Sequence, residues 1–448
     1  MRPSARVRRR GARGCASSPG APFVVLLSLG SLLATFAPAQ SSTLPARSQS
    51  IDVIEDGHLR RGYWYADPGV ALDTYVARRT QATRSVEFRS DLGSLVFEVA
   101  PDTTIDFVVV LEDGRRCQTR ITAPRRGTVW TDPAVPCVIP FRLGDDNKIH
   151  IEGTIEGSPP LDLMFDTGAD TVVLYPSGLA KVGTLPIDGT IENAGFSGTV
   201  RRETSSDIRI SIAGLEWDHE QVMVVEQQVE RVDGIVGWVL FEDKVLDIDF
   251  GRSEITVRNQ LPESIDDYAR LPFEYRGSLP YVAIGWNDAP SRGAFVVDTG
   301  SSASLHVTRA FVNSVAPSGG LTTLGTSRSG GLGGGRQTSD VVSVPSISLG
   351  GLRIADIPVH VARSGGAPGD AAGTLGMDLL QRFSIVLDSK GDALFLRPGP
   401  LFDTPFQTDW TPRWVRPLIA TVSGALLAVV LGILIARRRR LRATQSRV

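Results

Sequence analysis

Two copies of the triplet Asp-Thr-Gly, at Asp166-Thr167-Gly168 and Asp298-Thr299-Gly300, constrain this chain more than any other feature of its sequence. Each ends an apolar run, Leu161-Asp162-Leu163-Met164-Phe165 in the first case and Ala294-Phe295-Val296-Val297 in the second. Each is followed by a matching block, Asp233-Gly234-Ile235-Val236-Gly237-Trp238 and Gly373-Thr374-Leu375-Gly376-Met377-Asp378. A third pair follows in the same order, Val245-Leu246-Asp247-Ile248-Asp249-Phe250 and Phe383-Ser384-Ile385-Val386-Leu387-Asp388. The spacings agree, with 71 residues from Asp166 to Gly237 and 78 from Asp298 to Gly376. One such triplet arises by chance in a chain this long with a probability of about one in ten. Two with matching surroundings mark an internal duplication. Between the landmarks lie short apolar runs broken by Gly, Pro and Ser. They predict two mainly β lobes, residues 141–260 and 261–398, with helix limited to a turn or two near Val239–Asp243 and Met377–Arg382.

The triplet has a physical logic. An apolar strand delivers a carboxylate to a rigid turn, Thr hydrogen-bonds across to a partner lobe, and Gly lets backbone pass close to the carboxylate. Two carboxylates within hydrogen-bonding distance share one proton, because ionising both is costly. The ionised oxygen can then deprotonate a water while the protonated partner donates to a carbonyl. Sequence does not distinguish base from acid, since such a pair titrates as a unit.

Both halves resemble the retropepsin-like and pepsin-like aspartic peptidases, especially bacterial membrane-anchored members with two tandem DTG lobes in one chain. The resemblance covers residues 141–398, with Asp166-Thr167-Gly168-Ala169-Asp170 similar to the retroviral form and Asp298-Thr299-Gly300-Ser301-Ser302 to the pepsin form. It implies a bilobal double-psi β-barrel fold, Asp166 and Asp298 as the catalytic pair, and Thr167, Gly168, Thr299, Gly300 and Ser301 as support for the active-site loops. It also implies an apolar-apolar-Gly element behind each loop, here Ile235-Val236-Gly237 and Thr374-Leu375-Gly376, where Thr374 departs from an aliphatic residue. Family members cover the cleft with a hairpin flap. Gly195-Phe196-Ser197-Gly198 and Gly331-Leu332-Gly333, within the run Gly330–Gly335, are the candidates, with an ordinary Gly-rich hairpin as the alternative. Neither tip carries the tyrosine of the pepsin-type flap. Ala169 in place of a serine removes a hydroxyl near Asp166, which implies a less acidic optimum than that of pepsin. The family needs no cofactor and no metal. With both lobes in one chain, homodimerisation is not required.

The flanks set the expected compartment. Residues 1–39 read as a secretory signal, with arginines to Arg13, an apolar stretch from Phe23 to Phe36, and Ala37-Pro38-Ala39 as a cleavage site; an uncleaved anchor is the alternative. Residues 417–436 carry no charge and are long enough to span a bilayer, and Arg437 to Arg440 follow. The positive-inside rule leaves residues 437–448 in the cytoplasm and the lobes outside, on a Pro-rich stalk of residues 399–416. Six of the 47 basic residues precede Ala21 and six follow Ala436; the remainder carries 35 basic against 49 acidic side chains, a poor match for nucleic acid. Residues 40–140 show β patterning at Val86–Phe88, Leu95–Val99 and Ile105–Leu111, and read as a β-rich accessory domain, with a masking propeptide as the alternative. Export makes a disulfide between Cys117 and Cys137 an expectation, against two free thiols. The five histidines lack metal-ligand spacing. His306, eight residues past Asp298, reads as a strand-surface residue, with the cleft wall as the alternative. No Gly-x-Ser-x-Gly elbow and no phosphate loop occurs. The function expected is endopeptidase activity on extracytoplasmic protein or peptide. A catalytically silent peptide-binding module and a surface scaffold on the same fold are the alternatives.

Overall fold

The two Asp-bearing strands sit at equivalent places in two β lobes that repeat one strand order. In lobe 1, strand Leu161–Asp166 pairs in parallel with Gly234–Gly237, which runs antiparallel to Val172–Leu174, itself parallel to Leu215–Val224. In lobe 2, strand Ala289–Val297 pairs in parallel with Gly373–Leu375, that with Leu305–Val307 in antiparallel, and that with Leu352–Ala362 in parallel. In this computed structural model the described residues are 42–406, apart from 56–57, 60–63, 78–82, 124–127, 130–133, 196–197, 243, 277–278, 288, 317–320, 334 and 365–370.

The third pair of matched blocks closes the molecule. Val245–Asp249 and Phe383–Asp388 pair with each other in antiparallel, Val245 opposite Asp388 and Ile248 opposite Ile385. One continuous sheet thereby carries lobe 1 into lobe 2, and a single apolar core runs through both, from Ile139 and Phe165 to Phe295 and Leu396. Strand alternation explains the partition. On Leu161–Asp166, Leu163 and Phe165 face that core while Met164 and Asp166 face the other way.

Helix is scarce. The turns expected near residues 239 and 377 occur as Trp238–Phe241 and Met377–Leu380. Two further helices, Pro176–Val182 and Arg309–Val315, were not expected. Each is seven residues long, too short for an amphipathic period to stand out from the flanking strands. Each begins two residues past the end of its equivalent strand, Val172–Leu174 or Leu305–Val307, and extends the duplication.

The accessory region forms two small sheets. Thr43–Ala46, Asp73–Val76, Thr103–Leu111 and Arg116–Ala123 make one; Ser50–Glu55, Arg84–Arg89 and Ser94–Val99 belong to the other. They bury a separate core in which the Phe88 ring lies 4.7 Å from Phe107 and 5.4 Å from Tyr75. The strand Cys137–Leu143 crosses the expected boundary at 140 and belongs to the peptidase-like part, pairing with Glu254–Arg258 and Ile149–Ile155. The accessory domain docks on lobe 1: Thr128–Val129 pairs with Glu216–Trp217, Gln221 donates to the Thr74 carbonyl, and Arg201 forms an ion pair with Asp67.

The expected disulfide does not form. Cys117 is a free thiol inside the accessory core, whereas the free Cys137 starts the strand into lobe 1, where its thiol meets the Ala213 carbonyl at 3.3 Å. The two residues belong to different cores, and burial pushes the Cys117 thiol up to about 11. Among the described residues no helix is long and apolar enough to cross a membrane. The expected signal (1–39), span (417–436) and tail (437–448), the stalk beyond residue 406, and the flap residues Phe196 and Ser197 lie outside the described residues.

Candidate active site

Asp166 ends its strand, and its neighbours fix it by backbone rather than by side chain. Asp166 lies opposite Gly237 in the ladder, and the Asp298 N–H donates to the Leu375 carbonyl at 2.9 Å. The apolar-apolar-Gly elements expected behind the loops are therefore the strands that hold both aspartates.

The triplets meet at the lobe boundary. The Thr167 hydroxyl donates to the Val297 carbonyl at 2.6 Å and accepts the Thr299 N–H at 3.1 Å. Reciprocally, the Thr299 hydroxyl donates to the Phe165 carbonyl at 2.9 Å and accepts the Thr167 N–H at 3.0 Å. Both threonines are buried. The glycines complete the contact. A Cβ on Gly168 would stand 2.7 Å from Asp298 Oδ1, and one on Gly300 would collide with the Asp166 carboxylate. Each loop presents bare backbone to the other loop's carboxylate, which only glycine permits. Ser301 acts through its main chain: its N–H lowers the proton affinity of Asp298, and its carbonyl accepts the Met377 N–H at 2.7 Å.

The two carboxyls hydrogen-bond to each other and are electrostatically unequal. Asp166 Oδ1 accepts the N–H groups of Gly168 at 2.8 Å and Gly300 at 3.2 Å, which favour its ionised form. Burial raises the proton affinity of both carboxyls, and the Asp166 charge raises that of Asp298 further. This asymmetry favours the ionised form at Asp166 and the protonated form at Asp298, within a pair that titrates as a unit.

Lys148 is a member of this site that the motifs did not reveal. It is 7% exposed, and its Nζ pairs with Glu230 Oε1 at 2.8 Å. Its charge lowers the proton affinity of both aspartates. The loop before it is fixed to lobe 2, with Asn147 Nδ2 donating to the Ser302 carbonyl at 3.1 Å and the Ser302 hydroxyl to the Asp146 carbonyl at 2.6 Å. The only sequence hint is that Lys148 is one of four lysines in a chain with 43 arginines.

Both candidate flaps are hairpin tips. Gly195 and Gly198 face each other at the end of Gly189–Gly195 and Gly198–Ile212; Gly330 faces Arg336 at the end of Thr322–Gly330 and Arg336–Leu349. The tips meet. A Cβ on Gly333 would collide with the Gly198 carbonyl, and Arg202 donates to the Leu332 carbonyl at 3.4 Å. Leu332 and Ala169 pack on an apolar cluster of lobe 1 that includes Met164, Tyr175 and Ile235. Among the described residues no group of His, Cys, Asp and Glu is arranged to hold a metal ion.

No curated protein matches the chain. In two segments, residues 151–240 and 282–379, it matches the model of a family described as aspartyl protease, and each segment contains one of the two triplets. By these two segments the chain is similar to the aspartyl proteases.

Proposed function

We propose that the chain is an aspartic endopeptidase that hydrolyses peptide bonds of extracytoplasmic proteins or peptides at a single composite site. The observation that carries this reading is the buried, hydrogen-bonded pair Asp166–Asp298, one carboxyl from each lobe, with a glycine of each loop against the other loop's carboxylate. In the proposed reaction the Asp166 carboxylate takes a proton from a water, and the hydroxyl oxygen attacks the scissile carbonyl carbon. Asp298 donates its proton to the carbonyl oxygen, giving a neutral gem-diol. The proton on Asp166 then passes to the leaving nitrogen as the C–N bond breaks and Asp298 recovers a proton from the gem-diol. The enzyme returns to its starting state without a covalent intermediate. Lys148 keeps the pair from taking up a second proton, and hairpin closure would shield the diol from bulk water.

The extracytoplasmic placement rests on the apolar segment 417–436 with its arginine block and on the signal-like segment 1–39. Thiol labelling of a cysteine introduced at Ser446 tests it, and modification by an impermeant reagent in intact cells would overturn it.

The activity is tested with the purified full-length protein in detergent, digesting a mixed peptide library beside Asp166→Asn and Asp298→Asn. Cleavage by the parent, reduced at least about a thousandfold by either substitution, is expected for a composite site. Residual cleavage in either single variant at parental rate would overturn the shared-proton mechanism. Silence of the parent across pH 3–8 would overturn the peptidase reading.

A further inference from the structure

Three hydrogen-bond donors beside the catalytic strand of lobe 1 have no partner, and all three lie on the face that carries Asp166. Met164, two residues before Asp166, shares that face of the strand. Ladder registers carry it from Met164 through Ile235, Val173 and Met223 to Thr204, on the lobe 1 hairpin. Alternation places Tyr175, two residues past Val173, on the same face, and likewise Arg202, two before Thr204. Ile191 stands opposite Arg202, and Asn193 is two residues past Ile191. Tyr175 and Ile191 join the row in one apolar cluster, onto which Ala169, three residues past Asp166, and Leu332 also pack.

The hairpin end of this face is polar and unsatisfied. The Tyr175 hydroxyl, the Arg202 Nε and the Asn193 amide nitrogen are buried atoms without a hydrogen-bond partner. Tyr175 is wholly buried; Arg202 and Asn193 are half-buried. The Tyr175 hydroxyl lies near enough to Glu230, Asp166 and Arg202 to feel all three charges. Burial first, then the Glu230 and Asp166 charges, raise its proton affinity, so it stays protonated and able to donate. Two of the three charges are matched, Glu230 by Lys148 at 2.8 Å and Asp166 by its hydrogen bond to Asp298. Arg202 forms no ion pair among the described residues, and its Nη2 donates at 3.4 Å to the Leu332 carbonyl. An unmatched guanidinium and two idle donors are costly where water is excluded, and a ligand that accepts from them removes the cost.

We propose that Arg202, Tyr175 and Asn193 form a carboxylate subsite in lobe 1, which takes a substrate glutamate beside the scissile bond with its methylenes on the apolar row and its carboxylate on the three donors. This rests on the peptidase reading and specifies its substrate class. Glutamate combines the two parts the face requires, an apolar stem and an anionic tip that only accepts. A guanidinium holds a carboxylate through charge-assisted bonds roughly twice as strong as neutral ones, an advantage that glutamine, of the same shape, lacks. Leu332 covers the cluster where the hairpin tips meet, and its carbonyl engages Arg202. Lifting that tip uncovers the subsite and frees the guanidinium in one movement.

The test digests a peptide library randomised on both sides of the cleavage point with the full-length protein and its variants. The parent should favour Glu over Gln at one position by at least about tenfold in kcat/KM. Arg202→Met, which keeps the stem and removes the charge, should bring that ratio to about one. Arg202→Lys should retain part of the preference, and Tyr175→Phe should lower it severalfold. Partial unfolding does not move the ratio, because both peptides meet the same enzyme. A parent ratio near one at every position overturns the proposal, and so does an unchanged ratio in Arg202→Met. If Arg202→Met is inactive, Tyr175→Phe, which removes an oxygen that has no bond to lose, carries the test, and an unchanged ratio there overturns it. Binding of the same library to Asp298→Asn reads selection without turnover. A preference for Glu in binding with no cleavage by the parent defeats the peptidase reading and sustains the subsite. Cleavage without that preference defeats the subsite alone, and absence of both defeats both.

Discussion

Thr167 and Thr299 exchange four hydrogen bonds across the pseudo-twofold axis, all buried and all between lobes. Replacing Thr167 by Val keeps the shape but removes a donor to the Val297 carbonyl and strands the Thr299 N–H. A net loss of about 2–4 kcal/mol is expected. Thr167→Ser should stay within about 1 kcal/mol of the parent, and urea unfolding midpoints of the three proteins decide it. A Val variant as stable as Ser would show that the lobes do not depend on this exchange. The carboxyl pair makes a separate prediction in pH. Activity needs one proton on the pair, so it falls at low pH as Asp166 protonates and at high pH as Asp298 loses its raised proton, giving a bell. Lys148 lowers both proton affinities, so Lys148→Met should move both limbs of the kcat/KM profile to higher pH. Movement of one limb alone would assign Lys148 to one carboxyl only. Asp166, Asp298 and their loop residues were legible in sequence because the turn demands those side chains contiguously. Lys148 and its partner Glu230 were not, because only the fold brings Lys148, 18 residues before Asp166, to the pair and Glu230, 64 after it, to Lys148.

Hairpin tips are where this molecule must open if a polypeptide is to enter. Their contact is backbone on backbone, with Gly333 against Gly198, and one apolar anchor, Leu332 on the lobe 1 cluster. Gly333→Ala should force the tips apart, since the added methyl meets a carbonyl rather than a flexible side chain. Leu332→Ser should remove part of the anchor, worth about 1 kcal/mol for a half-buried leucine. Both are expected to lower kcat/KM about five- to tenfold with global Tm changed little, because the tips lie outside the main core. A matching fall in Tm would recast the tips as structural rather than gating. Element type was largely legible here, since Gly-rich runs between apolar alternation specify hairpins. That the two tips touch was not, because it depends on lobe packing that local patterning does not encode. The pairing of Val245–Asp249 with Phe383–Asp388 shows the same limit: each was visible as a strand, and their mutual register was visible in neither.

At the scale of the whole molecule, the accessory domain is joined to the lobe 1 hairpin whose tip is the first candidate flap. Asp73, at the first position of its strand, is wholly buried between them; its carboxylate oxygens accept the Asp67 N–H at 3.1 Å and the Thr190 N–H at 3.4 Å. Thr190 lies at the base of the lobe 1 hairpin, and Arg201, on the returning strand, pairs with Asp67. Burial, with Asp188 close by, raises the Asp73 carboxyl to about 8. The folded protein therefore binds a proton that the unfolded chain releases from about pH 4 upward. Stability from Asp73 is fully present below that point and is lost as pH rises toward 8, by up to about 1.4 kcal/mol per pH unit. Asp73→Asn cannot ionise, so its Tm should fall less between pH 5 and pH 8 than the parent's. The variant should be the more stable protein at pH 8 and near parity, or slightly weaker for the altered hydrogen bonding, at pH 5. Parallel Tm curves for the two proteins would mean that Asp73 ionises freely in the fold. If the curves diverge as expected and proteolytic nicking at the hairpin rises with pH in the parent alone, the accessory domain is a brace on the lid of the cleft whose grip weakens with alkalinity.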